Sequence, residues 1–321
     1  MADPTATDGG QREGRGGPRP AALAVLGPGA VGGLLAALLA RRGDSVVVLA
    51  GESSAARLSA HGLHVRSAML GDFSTPVRVA PELGLGADAC LVTVKATQLS
   101  PALDRVPAAA LDGALLVPFL NGIEHVGILR KRYPDAEVVP ATIRVEALRS
   151  GTGEIEHASP FAAVELAAGP DNRDRVASLG ARLADAGLDV SVRDDEAAML
   201  WDKLSFLAPL ALVTTHARAP AGVVRTERRD DALGVIHEVA TVARATGASV
   251  DEAAVVEFLD GVPDDMESSM QRDAAAGRPL ELEAIGGAVL RAADQAGVAA
   301  PVTARLVSDL RERENAAGRG L

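Results

Sequence analysis

At 321 residues with 48% hydrophobic side chains, the chain is about two domains long and can bury a sizeable core. Its 43 acidic residues outnumber 32 basic ones, and the net charge of −11 repels nucleic acid and anionic membrane surfaces, so neither is expected as a partner. A single cysteine, Cys90 in "DACLVTVK", excludes a disulfide framework, reads as a small buried core residue and suits a reducing cytoplasm.

Residues 1–19 are polar and rich in Gly and Pro, and read as a disordered tail. Residues 21–40 carry no charge and follow Arg12, Arg15 and Arg19, the pattern of a membrane span or secretory signal. Glycines and Pro28 argue against both, because they split the stretch into a strand, "ALAVL", and a separate apolar helix, "LLAALLA", each too short to cross a bilayer. Further strand runs stand at 45–50, 78–80, 89–94, 114–119 and 136–141, with helix-length stretches at 52–61 and 123–132. Short apolar runs alternating with helices predict an α/β domain whose parallel sheet is covered on both faces. Segment 153–169 lacks helical spacing and predicts a late antiparallel hairpin, and 176–187 predicts a helix. Beyond about residue 194 the texture becomes helical, with stretches at 195–217, 228–247, 251–260, 281–297 and 301–314. Pro209, inside the first of these, predicts a kink. "LDVSVRDDE" marks the expected boundary between the halves, at 190–194.

Gly27-x-Gly29-x-x-Gly32 follows the first strand and opens a helix, with Pro28, Ala30 and Val31 completing the turn. In that context the first glycine permits the tight turn, the second lets backbone approach a pyrophosphate, and the third lets helix and strand pack closely. A merely glycine-rich turn is the alternative, since the chain has 33 glycines. Glu52 lies 20 residues beyond Gly32, near where a carboxylate grips a ribose 2′-hydroxyl, while Arg57 on the following helix could reach a 2′-phosphate. A loop glutamate and an exposed helix arginine are the bland readings of the two.

Four further stretches are "VTVKATQ" with Lys95 and Gln98, "FLNGIEH" with Asn121, "WDKLSFLAPLALVTT" with Lys203, and "SSMQRDAAAGRPLELEAIGGAV" with Ser269 and Glu281. Together with "GPGAVGG", in this order and spacing from about residue 21 to 314, they resemble the ketopantoate reductase (2-dehydropantoate 2-reductase) family. The resemblance implies a Rossmann-type dinucleotide-binding domain over 20–192, an all-helical substrate and catalytic domain over 193–321, and a cleft between them.

By the same resemblance Lys203 is the general acid, a cation placed where negative charge develops on a carbonyl oxygen as hydride arrives. Taken alone, a lysine beside Trp201, Leu204, Phe206 and Leu207 could simply snorkel to water. Glu281 follows Pro279 at a helix start, where the helix dipole alone favours a carboxylate. Set beside Lys203, it would hold the lysine protonated and oriented, or accept a hydrogen bond from the product hydroxyl. Glu283 reads as surface. Asn121, at the C-terminal end of a strand, would sit between nicotinamide and substrate, although "NG" is also an ordinary turn. Lys95 and Gln98 would lie along the cofactor. Ser269 would meet the substrate carboxylate, or else cap a helix.

His61 and His64 lack the further ligands of a metal site, so no metal is expected, and His216 is the one rival proton donor near the Lys203 helix. Leu207, Ala211 and Ala221 stand where the family usually carries asparagines, Gly286 where it commonly carries another, and Gly51 where it often has the arginine that contacts the NADP 2′-phosphate. The expectation is therefore an NADP-dependent reductase, with NAD kept as the alternative cofactor. Its substrate would be a small 2-oxo acid, ketopantoate by resemblance, placing it in pantothenate biosynthesis as a cytoplasmic monomer or homodimer. A reductase of a more apolar ketone or imine, and a non-catalytic dinucleotide sensor, are the alternatives.

Overall fold

The computed structural model describes residues 22–84 and 86–318, so the expected tail at 1–19 lies outside the described residues. In chain order the first half runs β1 (Ala22–Leu26), α1 (Ala30–Arg42), β2 (Ser45–Leu49), α2 (Glu52–His61), β3 (Leu63–Ser67), β4 (Phe73–Thr75), β5 (Arg78–Ala80) and β6 (Ala87–Val92). It continues through α3 (Leu99–Leu103), β7 (Leu115–Pro118), α4 (His125–Arg132), β8 (Glu137–Val138), β9 (Ala141–Gly151), β10 (Glu154–Ala167), α5 (Arg173–Asp185) and β11 (Asp189–Arg193).

Six strands pair in parallel in the order β5-β2-β1-β6-β7-β8. Chain direction across the sheet reverses at β1, so a crevice opens between the C-terminal ends of β1 and β6, where open α/β sheets bind ligands. The register aligns Leu26 with Leu49 and Val92, and Val92 with Pro118. The loops carrying Gly27, Gly51, Lys95 and Asn121 therefore leave one edge of the sheet together.

A second sheet runs β11-β10-β3-β4, with β9 paired antiparallel to β10. Helix α1 lies between the two sheets, which explains its composition. Gly32 through Leu39 are all buried, packed with Leu23, Val25, Val46 and Val48 of the first sheet and Leu63, Ile143, Ile155 and Leu166 of the second. A Cβ at Gly33 would stand 2.6 Å from Ile155 Cδ1, so glycine lets the second sheet close on the helix. A charge-free stretch here is thus the signature of a helix buried on both faces. Its end is sealed by Gly43 at φ 103°, with Arg41 and Arg42 in the last turn.

The hairpin expected within 153–169 is displaced: it is made by β9 and β10, turning at Thr152 and Gly153, so 154–167 is one long strand. The run at 136–141 likewise breaks into the short β8 and the start of β9, separated by Val139 and Pro140. Proline has no N–H for a ladder and ends the first pairing.

The second half is helical: α6 (Glu196–Ala217), α7 (Ala221–Glu227), α8 (Arg229–Ala245), α9 (Glu252–Gly261), α10 (Ser269–Ala275), a π-helical turn at Glu283–Gly287 leading into α11 (Ala288–Ala296), and α12 (Pro301–Gly318). Asp195 caps α6 by accepting from Ala198 N at 3.0 Å, and the helix runs on through buried Pro209. Trp201, Leu204, Ala208, Ala211 and Leu212 join Val235, Val239, Ile285 and Leu306 in a separate apolar core. Helix α6 is the one helix among the described residues long and apolar enough to cross a membrane, and 67% of its most apolar window is buried inside the protein.

Candidate active site

The glycine turn is assembled by close contacts that only glycine tolerates. Gly27 sits at φ +95°, and a Cβ there would collide with Val94. A Cβ on Gly32 would fall on Gly27 O and on Thr93 Oγ1. Thr93 fastens the turn, its hydroxyl within 2.9 Å of Leu26 O and 2.8 Å of Gly27 O. Gly29 differs, because nothing lies within 4 Å of where its Cβ would stand. The open space over Gly29 and the first-turn N–H groups of α1 at Ala30, Val31 and Gly32 form a cradle that fits a dinucleotide pyrophosphate.

From the same sheet edge, polar side chains reach across to the helical half. Glu281 is buried, and its carboxylate accepts from Ala96 N at 3.0 Å and from Asn121 Nδ2 at 3.0 Å. The neighbouring Gly122, at φ +84°, packs directly against Ala284 O, where a side chain could not fit. "NG" therefore does two things at once: it makes the turn and lets the helical half approach. Lys95 Nζ forms an ion pair with buried Asp273 on α10, which also accepts from Arg278 Nε at 2.9 Å. Glu124 with Arg291 (2.7 Å) and Glu146 with Arg272 (3.0 Å) close the sides of the cleft.

Lys203 lies about two turns into α6, half-buried, with no hydrogen-bond partner among the described residues. Burial pulls its pKa down from 10.5 to about 8, opposed by Glu281, lowered further by Arg144 and raised by Glu165. The expected direct contact with Glu281 is not made. Glu281 spends its oxygens on Ala96 N and Asn121, and supports the ammonium through space. Beneath Lys203, Glu165 accepts from Thr142 Oγ1 (3.1 Å), Arg144 (2.9 Å) and Arg193 (2.7 Å), and this network holds its carboxyl below the usual carboxylate range despite desolvation.

His125, at the start of α4, was not singled out by the sequence. It is 4% exposed, neither ring nitrogen has a partner among the described residues, and burial together with the Lys203 charge lowers its pKa to about 3. The imidazole is thus neutral. It lines a cavity of about 260 Å³ with Ala96, Asn121 and Glu281. Thr93 and Asp273 were also missed, though both lie inside quoted motifs, Asp273 one helical turn after Ser269. A carboxylate on the same helix face as Ser269 was the available signal.

Other expectations are placed differently. Ser269 is exposed at the first position of α10, and its neighbour Ser268 is the residue that caps the helix, accepting from Gln271 N at 3.0 Å. Gln98 is exposed, in the turn after Lys95. Arg57 is turned away to Thr152 O at 3.1 Å, and Glu52 is exposed at the first position of α2. His216 is no rival to Lys203: it stands thirteen residues further along α6, about 20 Å away by helical rise, and pairs with Asp309 at 2.9 Å. Of Leu207, Ala211 and Ala221, only Leu207 keeps partial exposure, because Ala211 and Ala221 are buried in the helical core at 1% and 0%. Gly286 has no room for an asparagine, since its Cβ would meet Val307 Cγ2 at 2.5 Å and Leu212 Cδ2 at 3.0 Å. Glu283 is exposed but engaged, with Arg311 (2.6 Å) and Arg291 (3.0 Å).

Residues 23–170 match the family described as ketopantoate reductase PanE/ApbA, and residues 196–314 match its C-terminal part. The 2-dehydropantoate 2-reductase of Mycobacterium tuberculosis is 31% identical over 295 residues, 89% of this chain and 95% of its own. The crystal structure of a PanE/ApbA family ketopantoate reductase from Ralstonia eutropha superposes with a TM-score of 0.84 at 27% identity, covering 92% of this chain and 99% of that one. A D-mandelate dehydrogenase, solved with NADH and anilino(oxo)acetate, shares the fold with a TM-score of 0.84 at 20% identity, again over 92% and 99%. Likeness over both halves, at an identity well above that of the fold-level neighbour, extends to the sequence itself: the chain belongs to the ketopantoate reductase family, oxidoreductases that act on a C=O group with NAD(P)H.

Proposed function

We propose that the protein reduces the carbonyl of a small 2-oxo acid, with NADPH as the hydride donor and ketopantoate, the substrate named for its relatives, as the reference substrate. Conversion to pantoate would place it in pantothenate biosynthesis. The observation that carries this reading is Lys203, a desolvated ammonium without a hydrogen-bond partner among the described residues and poised near pKa 8, within electrostatic reach of Glu281.

When bound, the nicotinamide cofactor would supply hydride for the carbonyl carbon. The glycine turn from Gly27 to Gly32 would hold its pyrophosphate, and Lys95 and Gln98 would lie along it. As hydride arrives, negative charge grows on the carbonyl oxygen. The Lys203 ammonium stabilises that charge and then gives its proton to the oxygen, leaving a neutral amine and an alcohol. Glu281, anchored by Ala96 N, keeps the Asn121 amide in place, so that Asn121 can orient the reacting group. Ser269, exposed and without a hydrogen-bond partner among the described residues, is free to meet the substrate carboxylate.

A second reading, a 2-oxo acid with a more apolar tail, is favoured by Leu207, which sets hydrocarbon one turn beyond Lys203. Ala211 and Ala221 add nothing to such a wall, because they face the helical core. The test is NADPH oxidation with ketopantoate, its analogue lacking the 4-hydroxyl, and phenylglyoxylate. Turnover of one or more 2-oxo acids is expected. A higher kcat/KM for the dehydroxylated analogue supports the apolar reading, a clear preference for ketopantoate supports the family substrate, and no turnover of any 2-oxo acid overturns both.

A further inference from the structure

Position 51 closes the second strand, where an open dinucleotide-binding sheet reads the adenosine ribose: a carboxylate there binds the 2′-hydroxyl of NAD, and a nearby arginine accommodates the 2′-phosphate of NADP. Gly51 offers neither. Its backbone, at φ −71° and ψ 161°, is one that any residue adopts, so conformation does not require the glycine. Space does not demand it either. A Cβ built on Gly51 would lie 3.4 Å from Arg105 Nη2, the one atom within 4 Å outside its chain neighbours. The guanidinium of Arg105 stands over the strand end that Gly51 leaves bare.

Arg105 is held there firmly. Its amide donates to Ala102 O at 3.1 Å, its carbonyl accepts from Leu83 N at 2.8 Å, and its Nη1 donates to Pro81 O at 2.8 Å. Nη2 has no hydrogen-bond partner, and no carboxylate pairs with the guanidinium among the described residues, although Glu82 and Asp104 line the same open cavity of about 730 Å³. One edge of the fork is thus used to fix the group, and the other is turned toward Gly51. Such an edge matches a phosphate, whose oxygens accept charge-assisted hydrogen bonds from arginine. Glu52, next along the chain, is exposed on the first turn of α2 and is the rival reader of a 2′-hydroxyl.

We propose that Arg105 binds the 2′-phosphate of NADP(H), entering from the loop after α3 the position that Gly51 vacates at the end of β2, and so sets the cofactor preference of this chain. The assignment rests on the reading of the cleft as a nicotinamide dinucleotide site. Calorimetric titration of the full-length protein, without substrate, with NADPH, NADH, adenosine 2′,5′-bisphosphate and 5′-AMP separates the two. The wild type should bind NADPH at least tenfold more tightly than NADH, and the bisphosphate more tightly than 5′-AMP. Arg105→Ala should lose about 10- to 100-fold in affinity for NADPH and the bisphosphate, the range for a hydrogen bond to a charged group. NADH affinity should stay within about twofold, which also shows that the loop still folds. Arg105→Lys, which keeps the charge but not the fork, should fall between. Equal losses for NADPH and NADH, no loss for NADPH, or a wild type that prefers NADH each overturn the role of Arg105 alone. A wild type that binds neither dinucleotide overturns the cofactor reading and the Arg105 assignment with it.

Discussion

A lysine that must deliver a proton near neutral pH needs a pKa close to that pH, and burial is the direct route to one. At Lys203 the depression to about 8 leaves the ammonium about nine-tenths protonated at pH 7. Carbonyl reduction should therefore hold level below about pH 8 and fall about tenfold per unit above it, because the neutral amine has no proton to give. The reverse oxidation should rise over the same interval, where the amine becomes the base. Lys203→Ala should lose about 10² to 10⁴ in kcat and flatten the alkaline limb, with NADPH affinity little changed. A variant that keeps wild-type turnover, or a wild-type profile without that limb, places the proton donor elsewhere. His125, whose pKa the Lys203 charge lowers, is then the group to test, its neutral ring at pH 7 having one N–H to donate.

At the scale of elements, the strand–turn–helix of β1 and α1 separates glycines that build the fold from one that meets a ligand. Gly32→Ala drives a methyl into Gly27 O and Thr93 Oγ1, and overpacking of this kind costs about 1–3 kcal/mol, so its melting temperature should drop. Gly29→Ala adds its methyl to open space at φ −75°, which suits any residue, and stability should change by less than about 0.5 kcal/mol. Its NADPH affinity should nonetheless fall, because the methyl occupies the approach to the pyrophosphate. Thermal melts and cofactor titration of the two variants check the pair. Wild-type NADPH binding by Gly29→Ala would remove the pyrophosphate from this turn.

Over the whole molecule, the two halves are joined by polar contacts that span the cleft: the ion pairs of Lys95 with Asp273 and Glu124 with Arg291, and the hydrogen bond from Asn121 to Glu281. Asp273 carries the most consequence, because it is buried while both of its cationic partners keep access to water. Asp273→Ala frees Lys95 and Arg278 to turn outward, so the loss should be about 1–2 kcal/mol, less than for a pair buried on both sides. Hydrogen exchange should quicken in α10 and at 96–98, while β1 stays protected, since the sheet core does not depend on this contact. Unchanged exchange at both places would show that Asp273 does not hold the cleft together.

Periodicity and spacing were enough for the parallel sheet, the helical half and the glycine turn, because each is a local pattern along one strand, helix or turn, whereas Asn121, Lys203 and Glu281 stood out only through the family resemblance of the stretches that carry them. The second sheet was less legible: β3 and β4 are short, and "LHVRS", though it alternates, offers only two apolar residues to announce a strand, so the reason for a charge-free α1 stayed hidden. The partners of the polar groups were not legible at all. Glu281 reaches back 185 residues to Ala96 N and 160 to Asn121, and Lys95 reaches forward 178 to Asp273. Burial likewise turned Ala211 and Ala221 into the helical core and brought Arg105 over Gly51. A sequence determines which chemistry is present and the elements that carry it. Only the packing of distant elements decides which groups are desolvated, which charges meet across the cleft, and which arginine stands over an empty strand end.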